Sequence, residues 1–194
     1  RHTRYGTVTG VQTCALPISK RCGHMQGKEV VSQEEYTEKL GAAIDVRESK
    51  NFIIVARTDA RATEGLDAAI ERGLQNKKTG ADAVFVEAPR SIEEMKQIGK
   101  SIKAPLVANM IEGGATPISS AQELHKMGFK IILYPLSVLF ANTFATMNIL
   151  QELKKTGTTS KYKNKVVNFD QFNDLVELSK FRKMEKKYGF SKRE

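Results

Sequence analysis

The sequence lacks several features that would assign the protein to a class at once. Its 194 residues contain no Trp and only two Cys, too few for a disulfide framework and typical of a reducing compartment. No apolar run approaches the roughly 20 residues that a membrane-spanning helix needs. The motifs G-x-G-x-x-G and G-K-[ST] of nucleotide-binding proteins are missing too. We therefore expect a cytoplasmic protein that is neither membrane-embedded nor a dinucleotide binder.

Basic residues outnumber acidic ones, but the excess is confined to the two ends of the chain. The formal net charge is +9, from 31 Lys and Arg against 22 Asp and Glu. Residues 1–18 and 154–194 carry this excess, whereas residues 19–153 contain both signs in equal number. A protein that reads nucleic acid usually concentrates its positive charge on the folded body. The pattern therefore argues against a nucleic-acid partner.

Residues 1–18 show neither a strand period nor a helix period, and they contain no capping signal. Their sequence, RHTRYGTVTGVQTCALPI, resembles the translation of a sequencing-library adapter. A genuine disordered amino terminus is the alternative. We assign residues 1–19 to this artefactual or disordered leader, and we expect the natural sequence to resume at Lys20.

From Lys20 onward, strand and helix patterns alternate at a steady spacing. Short apolar runs predict strands that are buried on both faces, and amphipathic segments between them predict helices. The predicted strands are residues 51–58, 83–86, 105–108 and 130–134, and the predicted helices are residues 32–47, 64–79, 91–102, 119–127, 136–155 and 170–178. This alternation predicts an α/β fold of right-handed βαβ units with a parallel sheet.

Polar residues follow directly after the predicted strands. They include Arg57-Thr-Asp59, Glu87-Ala-Pro89 and Asn109-Met-Ile-Glu112. Barrel enzymes gather their chemistry at the carboxyl ends of several strands, whereas a doubly wound nucleotide binder concentrates glycines after its first strand. We therefore predict the C-terminal half of a (β/α)8 TIM barrel over residues 20–156, and an extension of extra C-terminal helices over residues 157–194.

The pentapeptide Lys20–His24 (KRCGH) is the strongest candidate for chemistry. Cys22 lies between cations and close to His24, and such surroundings turn a thiol into a proton donor or a nucleophile. A free cysteine is more often a small buried hydrophobe. A polar loop with Gly23 beside the thiol is a poor place for that role, so we favour a catalytic cysteine.

Arg57 ends an apolar strand, where its guanidinium could clamp the carboxylate of a ligand. An ion pair with Asp59 or Glu87 is the alternative, and the sequence leaves both open. Glu87 and Asn109 recur at the equivalent place on the next two strands, where a buried carboxylate or amide needs a partner. The sequence contains no cluster of the kind that binds zinc.

Five motifs, in order along the chain, resemble the lyase branch of the isocitrate lyase/phosphoenolpyruvate mutase superfamily, which includes methylisocitrate and 2,3-dimethylmalate lyases. They are K-R-C-G-H-x-x-G-K, A-R-T-D-A, V-E-A-P, A-N-M-x-E-G-G-x-T-P and L-Y-P-L-S. The resemblance extends from Lys20 to about Gly189. It implies a (β/α)8 barrel that binds Mg2+ and a small 2-hydroxy or 2-oxo carboxylate, commonly as a homotetramer.

The resemblance also implies a reaction, the Mg-dependent cleavage of a carbon–carbon bond. The substrate would be a 2-hydroxy di- or tricarboxylate of the 2-alkylmalate or methylisocitrate type, and the products a 2-oxo acid and a carboxylate. Cys22 would protonate the departing carbon, while His24 and Lys20 hold and polarise the thiol. The substrate-binding residues that the resemblance implies are Gly23, Arg57, Glu87, Asn109, Met110 and Ile111.

Other activities stay open at this point. Within the superfamily they are oxaloacetate hydrolysis or decarboxylation and a carboxyphosphonoenolpyruvate phosphonomutase. A non-catalytic paralogue is the alternative outside catalysis.

Two departures from the superfamily pattern matter for these expectations. The acidic residues that hold Mg2+ in the superfamily precede the cysteine loop, so we expect no metal ligand in this chain and no activity from the chain alone. In the methylisocitrate-cleaving branch, an arginine follows L-Y-P-L-S. Phe140 stands there instead, which favours a smaller substrate of the 2-alkylmalate type.

Overall fold

The structure, a computed structural model, describes residues 29–189. The chain divides into two compact units, Arg1–Val138 and Leu139–Glu194. The elements of the first unit are α1 (Gln33–Asp45), β1 (Val55–Thr58), α2 (Ala60–Thr63), α3 (Leu66–Thr79), β2 (Ala83–Val86), α4 (Ile92–Ser101), β3 (Leu106–Asn109), α5 (Ala121–Lys126) and β4 (Phe129–Leu133). The helix α6 (Ser137–Thr156) follows, and the second unit also contains a 3-10 helix (Ser160–Tyr162), α7 (Phe169–Leu175) and α8 (Leu178–Tyr188).

The four strands form one parallel sheet in the sequential order β1-β2-β3-β4. A doubly wound sheet reverses its strand order at a switch point and covers both faces with helices. Here the order never reverses, and the main apolar core joins α3, α4 and α5 to one face, through residues such as Val84, Leu106 and Ala108. The α/β fold and the barrel-like winding that the sequence predicted are therefore confirmed.

Side-chain caps begin several helices. The Ser32 hydroxyl accepts a hydrogen bond from the Glu35 amide at α1, and the Ser91 hydroxyl accepts one from the Glu94 amide at α4. At α5, Ser120 and Glu123 form the full reciprocal capping box. Each cap satisfies an amide that the first turn of a helix leaves without a partner.

The predicted strand 51–58 and the predicted helix 64–79 are both too long at their amino ends. Strand pairing begins only at Val55, because Asn51 and Phe52 bond back to Ser49 in a turn. Gly65 has a φ of 101°, a left-handed conformation that interrupts the chain between α2 and α3. The apolar run that contains Ile54 therefore marked burial rather than strand pairing.

Arg47 and Asp82 connect the amino ends of β1 and β2. The Asp82 carboxylate accepts a 2.6 Å bond from Arg47 Nη1 and a 2.8 Å bond from the amide of Ile54. Arg47 follows α1, so this ion pair joins a helix end to two strand ends. It lies at the opposite end of the strands from the polar residues that the sequence singled out.

Gly99 on α4 lies against the turn that ends α5, and the contact leaves no room for a side chain. A Cβ atom at Gly99 would lie 1.6 Å from the carbonyl oxygen of Met127. We expect Gly99→Ala to lower the free energy of unfolding by about 3 kcal/mol, because the backbone itself must move apart. Urea denaturation measures the change.

Gly41→Ala provides the matched control. Gly41 lies on α1 with no other atom within 4 Å of an added Cβ, so helix propensity predicts a gain of about 1 kcal/mol. Equal changes in the two variants would contradict the close approach at Gly99.

The helices of the second unit bury none of their residues. Large apolar side chains such as Phe144, Phe169 and Leu175 are exposed there. Within residues 29–189, no helix combines the length and the apolar character needed to cross a membrane. The domain boundary that the sequence predicted at residue 157 stays a prediction.

Candidate active site

One face of the sheet carries polar side chains at the carboxyl ends of three neighbouring strands. Side chains alternate between the two faces of a strand. Arg57 on β1, Glu87 just after β2 and Asn109 on β3 therefore share the face opposite the helix-covered core. The strand register pairs Arg57 with Phe85 and Phe85 with Val107, which gives the polar residues an apolar floor.

The Arg57 guanidinium is held on three sides. Its Nε donates to Asp59 Oδ2 at 2.8 Å and its Nη2 donates to Asp59 Oδ1 at 2.9 Å. Its Cζ lies 5.1 Å from the centre of the Phe85 ring, within the range of a cation–π contact. Its Nη1 lies 3.6 Å from Glu87 Oε2. The ion pair that the sequence left open as the alternative to a ligand is therefore present, with both Asp59 and Glu87.

Glu87 is almost fully buried and lies between Arg57 and Asn109. Its side chain is 1% exposed, and its Oε1 accepts a 3.4 Å hydrogen bond from Asn109 Nδ2. A carboxylate only accepts hydrogen bonds, so the amide of Asn109 must turn its NH2 group toward Glu87. Asn109 Oδ1 then points elsewhere, and it has no hydrogen-bond partner among residues 29–189. Asn109 therefore contributes a buried acceptor oxygen next to Glu87 that no described residue pairs.

The chain turns sharply after Glu87. Ala88 has a φ of 55°, one of two positive values at non-glycine residues in the part of the chain that the structure describes. A left-handed alanine costs on the order of 1 kcal/mol and persists where its surroundings fix it. Ala88 is also buried. This turn directs the backbone away from the sheet edge immediately after the Glu87 carboxylate.

Met110 and Ile111, which the resemblance proposed as substrate-binding residues, have buried side chains. Met110 belongs to the core beneath the helices, and its amide donates to the carbonyl oxygen of Leu133 at 2.8 Å. Ile111 O accepts from the amide of Gly114, which closes the turn after β3. These contacts support the loop, and a role in ligand binding stays a prediction.

Glu112 connects the loop after β3 to the start of α6, the helix that follows β4. Its carboxylate accepts a hydrogen bond from the hydroxyl of Ser137, and this bond lowers the pKa of Glu112 below its usual value. Both residues follow the carboxyl ends of their strands. The bond therefore joins the segments that follow two neighbouring strands.

Arg61 on α2 and Glu94 on α4 make a second connection between segments that follow strands at this end. Arg61 Nε and Nη2 donate to the two carboxylate oxygens of Glu94 at 2.7 Å and 2.5 Å, and the amide of Arg90 also donates to Glu94. The hydrogen bond from Arg61 lowers the pKa of Glu94 from its usual 4.5, with a smaller contribution from Arg90. The pair fixes α2, which follows β1, to the start of α4, which follows β2.

The depressed pKa of Glu94 predicts how stability depends on pH. A carboxyl with a lower pKa in the folded chain stabilises it above the unfolded pKa, near 4.5, and this contribution is lost as pH falls through the folded pKa. We expect Glu94→Gln to lower the free energy of unfolding at pH 7 by about 1–2 kcal/mol. Below pH 4.5 the difference from wild type should shrink. Urea denaturation between pH 3 and pH 7, roughly the range over which carboxyls titrate, measures this.

Glu93→Gln serves as the control for that measurement. Glu93 lies on the same helical turn, is exposed, and takes part in no ion pair among residues 29–189. A pH-independent difference between Glu94→Gln and wild type would contradict the assigned role of the carboxylate.

The predicted residues Lys20, Cys22, Gly23 and His24 lie outside the described residues. The structure therefore brings together Arg57, Glu87 and Asn109, and it says nothing of the cysteine loop. Sequence reasoning named Asp59 only as a possible ion-pair partner. The spacing Arg-x-Asp at the end of β1 was the available signal, because residues two apart along an extended chain point to the same side.

The described residues do not form a magnesium site. Mg2+ prefers oxygen ligands in a near-octahedral arrangement. Between residues 29 and 189, no group of three or more His, Cys, Asp or Glu side chains is arranged to hold a metal ion. The two carboxylates at the sheet edge, those of Asp59 and Glu87, both face the Arg57 guanidinium.

The chain as a whole matches a known family. The family model described as "Phosphoenolpyruvate phosphomutase" matches residues 8–154, which is more than half of the chain. The chain belongs to this family. It is thus a member of the PEP mutase/isocitrate lyase superfamily, and its four strands are part of the TIM barrel of that superfamily.

Among curated members of the superfamily, the 2,3-dimethylmalate lyase of Eubacterium barkeri is 45% identical over 172 residues. The alignment covers 89% of this chain and 60% of that enzyme. The chloroplastic carboxyvinyl-carboxyphosphonate phosphorylmutase of Arabidopsis thaliana is also 45% identical, with 88% and 51% covered. A 2-methylisocitrate lyase of Aeropyrum pernix is 38% identical, with 82% and 51% covered.

Solved structures of the superfamily agree with this assignment. A crystal structure of 2,3-dimethylmalate lyase superimposes with a TM-score of 0.77 at 31% identity, over 88% of this chain and 57% of that one. An oxaloacetate acetylhydrolase in complex with 3,3-difluorooxalacetate gives a TM-score of 0.78 at 29% identity, over 88% and 58%. This chain therefore spans a little over half the length of the relatives that it matches.

Proposed function

We propose that the whole protein is a carbon–carbon lyase, which cleaves a 2-hydroxy di- or tricarboxylate into a 2-oxo acid and a second carboxylate. The observation that carries the proposal is the convergence of Arg57, Glu87 and Asn109 on one sheet edge. A cation, a buried carboxylate and an amide oxygen at one place suit a small ligand that has both carboxylate and hydroxyl groups. The similarity to a dimethylmalate lyase at 45% identity supports the reaction type.

In the proposed reaction, the substrate loses one proton to a base and its second fragment gains one proton from an acid. A base removes the proton of the 2-hydroxyl group, and the oxygen's electron pair forms the carbonyl of the 2-oxo acid. The bond between C2 and C3 breaks, and its electrons pass to the second fragment as an aci-carboxylate. Cys22 then gives a proton to that carbon, with His24 and Lys20 next to the thiol. We propose that Arg57 meets a ligand oxygen, where a fixed donor stabilises developing negative charge.

For the substrate we propose a 2-alkylmalate in preference to methylisocitrate. Phe140 stands where the methylisocitrate-cleaving branch has an arginine for a third carboxylate. Cleavage of 2,3-dimethylmalate between C2 and C3 yields pyruvate and propionate, which balances without any co-reactant. The similarity to 2-methylisocitrate lyases, 38% for the enzyme of Aeropyrum pernix, keeps a tricarboxylate as the next substrate to test.

A second candidate function is a reaction on a smaller 2-oxo acid or on a phosphonate. The Arabidopsis relative, equally similar at 45% identity, is by its name a carboxyvinyl-carboxyphosphonate phosphorylmutase. The structural relatives include an oxaloacetate acetylhydrolase. Oxaloacetate hydrolysis would release oxalate and acetate, and a phosphonomutase would release no product of carbon–carbon cleavage. A non-catalytic paralogue is the remaining alternative.

We propose Mg2+ as the cofactor, with its ligands outside residues 29–189. A phosphonopyruvate hydrolase with the same fold has been solved with oxalate and Mg2+. When bound, Mg2+ would polarise the oxygens of the 2-oxo acid. We also propose a homotetramer, since the exposed apolar side chains of α6, α7 and α8 are a surface that a neighbouring subunit would cover. Our proposed compartment is the cytoplasm, although the Arabidopsis relative is chloroplastic.

A chimera tests the proposed function. In it, residues 20–194 of this chain follow the amino-terminal part of the Eubacterium barkeri dimethylmalate lyase. We expect the chimera, with MgCl2, to release pyruvate from 2,3-dimethylmalate in a coupled assay, and the amino-terminal part alone to release none. A folded chimera that releases oxalate from oxaloacetate instead would favour the hydrolase. A folded chimera that turns over neither substrate would contradict the proposal.

A further inference from the structure

Asp59 occupies a helix-capping position but does not cap the helix. It is the N-cap residue of α2, and an aspartate there usually accepts a hydrogen bond from an amide of the first turn. Its side chain makes no such bond in this structure. Both carboxylate oxygens instead accept from Arg57, and both side chains are nearly buried, at 13% exposed for Asp59 and 14% for Arg57. The Asp59 carboxylate therefore binds Arg57 at the sheet edge and does not cap α2.

The contact with Asp59 determines which part of the guanidinium a ligand can meet. A guanidinium offers two edges that fit a carboxylate with two hydrogen bonds, Nε with Nη2 and Nη1 with Nη2. Asp59 takes the first edge, Cζ lies 5.1 Å from the centre of the Phe85 ring, and Nη1 lies 3.6 Å from Glu87 Oε2. A ligand that reaches Arg57 therefore approaches the Nη1 end.

We propose that Asp59 is a positioning residue, which fixes Arg57 so that a ligand carboxylate meets its Nη1 end next to Glu87. The proposal rests on the proposed function only for the nature of the ligand. Asp59 itself does not touch the ligand. Asp59 holds the long and flexible side chain of Arg57 in one orientation. Arg57 therefore loses little further conformational entropy when a ligand binds.

Charge and positioning predict opposite effects when Asp59 is replaced. Asp59→Asn removes a negative charge next to the site, so electrostatics alone would tighten the binding of an anion. Loss of the two-bond contact would instead release Arg57 and weaken binding. The direction of the change in affinity therefore separates a positioning residue from a merely neighbouring charge.

The first measurement uses the 194-residue chain and needs no activity. Hydrogen exchange of the Arg57 Nε–H group is followed by NMR, with the signal assigned through Arg57→Lys. We expect slow exchange in the wild type and exchange at least roughly tenfold faster in Asp59→Asn. Asp82→Asn is the matched control, because it breaks the ion pair with Arg47 at the far end of the strands. It should leave the Arg57 signal unchanged, and unchanged exchange in Asp59→Asn would overturn the proposal.

The second measurement is a titration of the same chains with sodium oxalate, with and without MgCl2, followed at the Arg57 signals. We expect Asp59→Asn to bind oxalate roughly tenfold more weakly than wild type, and Asp82→Asn to bind it equally well. Equal or tighter binding in Asp59→Asn overturns the proposal. Failure of the wild type to bind oxalate would count against the proposed function and not against the role of Asp59. The exchange rates of the Arg57 Nε–H group would then decide the role of Asp59.

Asp59→Glu keeps the experiment informative if Asp59→Asn does not fold. The longer carboxylate retains the charge and restores part of the contact, so Arg57 should exchange at a rate between those of wild type and Asp59→Ala. A rate in Asp59→Ala equal to that of wild type would again overturn the proposal.

Discussion

Arg57→Met should lower the free energy of unfolding at pH 7 by about 3–5 kcal/mol, the cost of removing one partner from a buried group of charges. The guanidinium lies between the carboxylates of Asp59 and Glu87, which are 13% and 1% exposed. Without it, two shielded carboxylates lose the cation that both of them face. Methionine fills a similar volume, so the loss measures charge rather than packing.

A double variant separates this cause from a general loss of packing. Asp59→Asn in the Arg57→Met background removes one of the two carboxylates that Arg57 faces, so the double variant should be more stable than Arg57→Met alone. Urea denaturation at pH 7 measures the three stabilities. A double variant no more stable than Arg57→Met would show that Arg57 does not neutralise Asp59.

Arg47→Met is the matched control for Arg57→Met. Arg47 also lies opposite an aspartate and is similarly shielded, at 15% exposed, but it faces one carboxylate, Asp82, which is 32% exposed. We expect a loss of about 1–2 kcal/mol there, because water can solvate the remaining charge. If the two variants lose equal stability, the burial of Glu87 does not increase the contribution of Arg57 to the free energy of unfolding.

The alternation of strands and helices could be predicted from the sequence because burial and periodicity are local signals. β2 coincides with the predicted strand, and all four of its residues are buried, as a central parallel strand requires. β1 is shorter than predicted because the same apolar pattern also marks core residues outside the ladder, such as Ile54. Apolar composition reports burial, and only the structure shows which buried residues pair.

The candidate site could be predicted only in outline. Parallel strands end at one edge, so residues that follow them must converge, and Arg57, Glu87 and Asn109 do so. The sequence could not decide between a ligand and Asp59 as the partner of Arg57, since that choice depends on side-chain torsions and on distances of about 1 Å. It also carried no sign that the Asp59 side chain would not cap α2.

Cys22→Ser should reduce the kcat of the chimera by about 10^3-fold, with little change in KM. A positioned proton donor contributes roughly 10^2- to 10^4-fold to a reaction of this kind. Serine keeps the size of cysteine but is a far weaker acid, so it cannot protonate the aci-carboxylate at a useful rate. Steady-state assays on 2,3-dimethylmalate measure both constants.

Cys22→Ala distinguishes a proton donor from a buried hydrophobe, the other role that the sequence left open for this thiol. If Cys22 only fills apolar space, alanine should preserve the activity and serine should disturb it, because a buried hydroxyl needs a partner. If Cys22 is the acid, both variants should lose about 10^3-fold, and the fall in kcat that accompanies thiol ionisation at high pH should vanish with them. Retention of full activity in Cys22→Ala would leave the proposed reaction without its proton donor, whatever the arrangement of Arg57 and Glu87.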